Sequence, residues 1–90
     1  MSPRASRKIP DGKLVRVDLD VSDRIDRATI TGDFFVEPPS ARAAFETAIE
    51  GHPRTVDRDR LLDALAAVEA TPIGFSIDDL ADVTREALDG

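Results

Sequence analysis

The sequence contains no cysteine, no tryptophan and no tyrosine; the last two absences leave few large anchors, and the first removes several classes of function. Without thiols there is no disulfide framework, no thiolate zinc site, no cysteine-held iron–sulfur cluster and no thiol nucleophile. The single histidine, His52, cannot by itself assemble a conventional metal site or a base–nucleophile pair. It follows Gly51 at the end of a helical pattern and reads as a neighbour of a helix C-terminus, stabilised by the dipole. No apolar run approaches the ~18 residues of a membrane span, and the N-terminus lacks the apolar core of a signal peptide, so a cytoplasmic location and no membrane partner are expected. The 90 residues make one domain. A chain of that size buries roughly 60 to 68% of its unfolded surface, enough for a core but small for a self-sufficient enzyme with a deep pocket.

Lysine is scarce as well. Only Lys8 and Lys13 accompany ten arginines and thirteen aspartates. Asp-rich, Lys-poor surfaces suit a salt-loaded cytoplasm, where screening lowers the cost of like-charge repulsion and hydrated carboxylates maintain solubility. A halophilic source is one explanation and GC-rich coding the other. The net charge is −6, but residues 1–16 carry +4 and the remainder −10. An acidic body opposes general nucleic-acid binding, which needs a sustained basic surface.

Residues 1–11 mix serine, proline and basic residues without periodicity and read as a flexible basic arm ahead of a single domain at 12–90. From Lys13 the chain alternates strictly: Val15, Val17, Leu19 and Val21 on one face, Arg16, Asp18 and Asp20 on the other, as a half-buried strand requires. A turn at Ser22-Asp23 returns the chain through residues 24–31. There Ala28 and Ile30 share parity with Gly32 and Phe34, while Ile25 is out of phase; this predicts a bulge or wide turn near Asp26. Gly32 predicts close backbone approach or a second irregularity.

Three helices follow. The first, capped by Ser40, buries Ala41, Ala44, Phe45, Ala48 and Ile49 and turns Arg42, Glu46 and Glu50 outward. The second starts at Thr55 or Asp57 and buries Leu61, Leu62, Leu65 and Val68, with Thr71-Pro72 beyond it. The third opens with Ser76 and Asp79 in capping-box spacing and Phe75 against Leu80 as a staple. The predicted fold is α+β: an antiparallel hairpin, with a short third strand at 34–36 or 71–75 as an option, covered on one face by three helices.

Few residues invite chemistry. Asp18 and Asp20 on one strand face resemble a paired-carboxylate site, but Arg16, Arg24 and Arg27 are at hand, and cross-strand ion pairing explains them better. Asp57, Asp59 and Asp63, and Asp78, Asp79 and Asp82, fall in first helical turns and complement the dipoles. The stretch Thr31–Pro39 holds two of the four phenylalanines. Alternation lets only one of Phe34 and Phe35 enter the core, which makes the other a candidate interface anchor. Asp33 and Glu37 flank the pair and either face a partner or serve the strand end and helix start. Lys8 and Lys13 bracket a Pro- and Gly-containing turn. They are either a solvated basic arm or compact ammonium groups of the kind phosphate and adenylate sites use.

Taken in order, Lys-x-Pro-x-Gly-Lys-Leu at 8–14, Gly-Asp-Phe-Phe at 32–35, Glu37-Pro38 and a third helix opening Ser76-Ile77-Asp78-Asp79-Leu80 resemble the C-terminal accessory domain of lipoate–protein ligases. The chain is most similar to the archaeal form, in which that domain is a separate small subunit. The resemblance covers about residues 8–88; Asp11 stands where the family often has a small residue, and Pro39 lengthens the break after Glu37. It implies a non-catalytic chain that works with a large ligase subunit. That partner would hold lipoate, ATP and magnesium, form lipoyl-AMP and pass the lipoyl group to a lysine of a lipoyl-domain acceptor. No cofactor is expected on this chain alone. Lys13, Lys8 and Gly12 are then the expected contacts to the partner's active site, and Gly32, Asp33, Phe34, Phe35 and Glu37 the expected partner interface. A non-enzymatic interaction or scaffold module and a regulatory binding domain are the alternatives.

Overall fold

The computed structural model describes residues 3–8 and 13–89. Two antiparallel sheets and three helices make an α+β fold, in the order β1 (Arg4–Lys8), β2 (Leu14–Val21), β3 (Ile25–Gly32), β4 (Phe35–Glu37), α1 (Ala41–Ile49), α2 (Arg58–Ala66), β5 (Thr71–Ile73) and α3 (Ile77–Asp89). Strands β1, β2 and β3 form a meander, and β4 pairs with β5 as a separate ribbon.

The alternation along β2 holds: Val15, Val17, Leu19 and Val21 are buried under the helices. The parity break also has the expected cause. Val21 lies opposite Ile25 and Asp20 opposite Arg27, so Asp26 is the extra residue of a bulge, which returns Ile25 to the core with Ala28 and Ile30. Helix α1 packs on β3 and α3 on β1 and β2, while α2 packs against both helices. Phe45, Ile49, Leu61, Leu65, Leu80 and Val83 fill the space between.

Several readings need correction. Ala44, counted in the buried stripe of α1, is exposed, and the helix buries only Ala41, Phe45 and Ile49. Residues 4–8, inside the stretch read as a flexible arm, form the edge strand β1 instead, so the sheet has three strands rather than a hairpin's two. The strand is recruited by the unused edge of β2, by Ala5 against the core and by Arg7, which reaches Asp82 and Glu86 of α3. The two segments offered as alternative third strands pair with each other, Phe35 opposite Ile73 and Glu37 opposite Thr71. Finally, Glu46 and Glu50 are half-buried and do not simply face solvent. Glu46 Oε2 accepts the N–H of Ile30 at 2.7 Å and Glu50 Oε2 that of Ala28 at 3.0 Å, so α1 supplies the acceptors the outer edge of β3 lacks.

Helix ends divide by chemistry. Asp57 caps α2 by accepting from Arg60 N–H at 2.8 Å. Ser76 and Asp79 form the reciprocal capping box, with Asp79 N–H donating to Ser76 Oγ at 3.1 Å and Ser76 N–H to Asp79 Oδ2 at 3.0 Å. Ser40, expected to cap α1, makes no such bond; the carbonyls of Pro38 and Pro39 take the N–H groups of Ala41 and Arg42.

Candidate functional site

Sequence-distant motifs meet at one end of the molecule, where β2 begins, β3 ends and the β4–β5 ribbon starts. Gly32 makes this convergence work. At φ +150° it lies against Leu14, and a methyl group there would sit 1.9 Å from the Leu14 carbonyl oxygen. The same carbonyl accepts the N–H of Asp33 at 3.0 Å. Only a residue without Cβ lets the end of β3 cross so near the start of β2, and the close approach read from sequence is this one.

The crossing aims the two phenylalanines apart. Phe34 is half-buried, its ring centroid 4.6 Å from that of Phe75, which in turn meets Phe45 edge-on at 6.4 Å. Phe35 is 67% exposed and stands opposite Ile73, itself 44% exposed; Leu14 is the third large apolar side chain left open among the described residues. Phe34, Phe35, Val36, Pro39 and Arg42 line a shallow cleft of about 170 Å³. Asp33 and Glu37 are both exposed beside it.

Lys13 joins this end through its stem. Gly74 has φ +90°, and a methyl group on it would meet Lys13 Cγ at 2.9 Å and Cδ and Cε at 3.5 Å, so the aliphatic chain of Lys13 lies across the Gly74 backbone. Lys8, opposite Leu14 at the end of β1, is exposed. Among the described residues neither ammonium has a carboxylate within ion-pair distance. Arg7, Arg58 and Arg85, by contrast, hold Asp82, Asp78 and Asp89 at 3.4, 3.0 and 2.6 Å. Gly12, named with these lysines, lies outside the described residues.

The other candidates resolve into structure. Asp18 is held by Arg4 and Arg16, each at 3.5 Å, and Asp20 faces Arg27 across the ladder, so the carboxylate pair belongs to an ion-paired open face. A larger depression there, of about 220 Å³ between Arg4, Asp18, Asp20, Arg27 and Thr29, is walled by these paired charges. His52 Nε2 lies 3.0 Å from the Ala48 carbonyl at the end of α1, the helix-terminal role its position suggests. Asp63 and Asp82 lie one turn beyond the first-turn positions read for them, and Asp82 instead receives both Arg7 and Arg58, the latter at 2.5 Å, tying β1, α2 and α3 together. Hydrogen bonding to Glu86 first, then Coulomb attraction, raises the Arg7 pKa above the ordinary arginine value; Asp82 does the same for Arg58. Among the described residues no cluster of His, Asp or Glu suits a metal ion, and no helix is long and apolar enough to cross a membrane.

Sequence reasoning missed Gly74 and Ile73. A glycine after a three-residue strand carries no periodic signal, and its use becomes visible only when Lys13 is found lying on it.

No protein-family model and no curated protein matches the sequence. Among solved structures, one chain from an archaeal lipoylation system of Thermoplasma acidophilum, described as a bi-partite lipoate protein ligase and its E2 lipoyl domain, matches with a TM-score of 0.70. The match spans 94% of this chain and 93% of that chain at 24% identity. The resemblance read from the sequence is therefore met at the level of the fold, which the chain shares nearly end to end with a component of that archaeal system.

Proposed function

We propose that this chain is the accessory subunit of a two-component lipoate–protein ligase, supporting lipoate activation by a separate catalytic subunit and hence protein lipoylation. The observation that carries the reading is the near end-to-end correspondence with a chain of a bipartite ligase system, in which neither chain leaves a large unmatched remainder. The exposed Phe35 and Ile73 beside Asp33 and Glu37 are of the kind that anchors a partner surface, an aromatic centre with a polar rim.

In the reaction so assigned, the lipoate carboxylate attacks the α-phosphorus of ATP, pyrophosphate leaves, and lipoyl-AMP then acylates a lysine of the acceptor domain. ATP, magnesium and lipoate belong to the large subunit. Two anions approach in the first step, so added positive charge and exclusion of water lower its barrier. Lys13, braced on Gly74, is the first candidate for that charge and Lys8 the second, with Gly12 between them in the sequence and Gly32 to Phe35 docking the segment.

Reconstitution with the large subunit provides the test. ATP-dependent lipoyl-AMP formation should require this chain, and Lys8→Ala with Lys13→Ala should slow it by at least about tenfold, the scale of one lost charge contact in a water-poor site. Full activity of the double variant would remove the lysines from the mechanism. A stable partner-free homodimer with no effect on lipoylation would overturn the reading itself.

A further inference from the structure

The two edges of the three-stranded sheet are built differently. On β3 the outward N–H groups of Ala28 and Ile30 donate to Glu50 and Glu46, and the segment after α1 continues the cover, with Ile25 N–H bonded to the His52 carbonyl at 2.9 Å and Gly51 N–H to that of Ile25 at 2.8 Å. On β1 the parity follows from one bond: Leu19 N–H donates to the Pro3 carbonyl at 2.9 Å. Pro3, Ala5 and Arg7 therefore turn their main-chain groups toward β2, and Arg4, Ser6 and Lys8 turn theirs to the outer edge. No described residue bonds to those outer groups.

Side chains on this edge are ordered by charge. Arg4, Ser6 and Lys8 are exposed on the open face. Arg4 shares Asp18 with Arg16, and Lys8 has no described carboxylate near it. On the inner side Arg7 is neutralised by Asp82 and Glu86. The edge thus presents two cationic side chains four residues apart, about 13 Å along a strand, with a hydroxyl midway and a row of main-chain donors and acceptors that no described residue pairs.

We infer that the β1 edge is a docking site for an extended acidic segment of a partner protein, which adds as a fourth antiparallel strand with carboxylates opposite Arg4 and Lys8 and small uncharged residues elsewhere. Main-chain bonds at Arg4, Ser6 and Lys8 supply the affinity and the alternate side chains the selectivity, as in strand addition generally. A second copy of the chain does not fit. Antiparallel pairing about Ser6 sets Arg4 of each copy against Lys8 of the other, and like charges directly opposite are destabilising. The inner-face positions meet Ala5 and the acidic rim of Asp82 and Glu86, which favours small uncharged residues there over large apolar ones.

The test uses the whole chain, isotope-labelled, titrated with a capped seven-residue threonine peptide carrying Glu at its second and sixth positions and, in parallel, with the counterpart carrying Lys there. Saturable amide shifts at Arg4, Ser6 and Lys8 with the acidic peptide, at least about tenfold weaker with the basic one, are expected. Ser6→Pro should abolish binding yet leave the rest of the spectrum in place, because the N–H it removes points away from β2 and edge positions of that kind tolerate proline. The double change Arg4→Glu with Lys8→Glu, which keeps every main-chain group, should reverse the preference toward the basic peptide. Equal binding of the two peptides, no saturable shift, unweakened binding by Ser6→Pro, or peptide-free shifts that grow with protein concentration would each overturn the inference.

Discussion

Removing the carboxylate of Glu46 tests the way the sheet is closed. Its Oε2 takes the Ile30 N–H at 2.7 Å, a short bond to an ionised acceptor at a half-buried position. Such bonds contribute about 1.5 to 3 kcal/mol net. Glu46→Ala lies at the low end, since the freed N–H can find water, alanine gains a few tenths in helix propensity, and the repulsion of Glu50 one turn away is relieved. A loss of about 1.5 kcal/mol follows, which lowers the melting temperature of a domain this size by roughly 6 to 12 °C. Glu46→Gln keeps an acceptor without the charge and should lose about half as much. Urea unfolding reads the midpoint at constant slope, and hydrogen exchange reads the site, because only the Ile30 amide should accelerate beyond the global change. A loss under about 0.5 kcal/mol, or an Ile30 amide that exchanges as in the parent, would refute the claim that α1 completes the sheet.

Other perturbations separate neighbouring explanations. Gly32→Ala should cost at least about 2 to 3 kcal/mol by thermal unfolding, because its methyl group would meet the fixed Leu14 carbonyl at 1.9 Å, whereas Gly51→Ala, at φ +88° with open space around it, should cost about 1 kcal/mol from backbone strain alone. Ser76→Ala should lose about 1 kcal/mol with the capping box, and Ser40→Ala close to nothing, since Ser40 makes no cap bond. Arg7 has a folded pKa raised above the arginine reference, so its pairing with Glu86 and Asp82 is fully present below the unfolded value and is lost only as pH rises through the folded one. The melting-temperature difference between the parent and Arg7→Ala should accordingly stay flat from about pH 7 to 10.

What could be read from the sequence was what leaves a period. The parity of β2 and its break at Asp26 placed the bulge, and the apolar stripes of α1 and α2 placed Phe45, Ile49, Leu61 and Leu65 in the core, while Ala44 turned out exposed. Strand β1 left no such trace: Arg-Ala-Ser-Arg-Lys has one small apolar residue, and the groups that fix Arg7 lie 75 and 79 positions away. The β4–β5 ribbon was half legible, because strands of three residues are too short to alternate but their glycine and proline borders show. Glu46 and Glu50 occupy the outward side of a helical wheel and read as solvated; a neighbouring strand edge, which no local pattern encodes, gives them a task. At the candidate site, the glycine crossing and the divergence of Phe34 and Phe35 followed from residue type and alternation. The bracing of Lys13 on Gly74 needed the third dimension.

The carboxylates of α1 have a further consequence for stoichiometry. A sheet that is receptive at both ends can grow head to tail without limit, each added unit offering the next one a fresh template. Here one end is terminated from within by Glu46 and Glu50, so a strand laid on β1 meets a body whose far side cannot repeat the event. Strand addition of the kind inferred above would stop after one event, and its product would be a discrete pair rather than a filament.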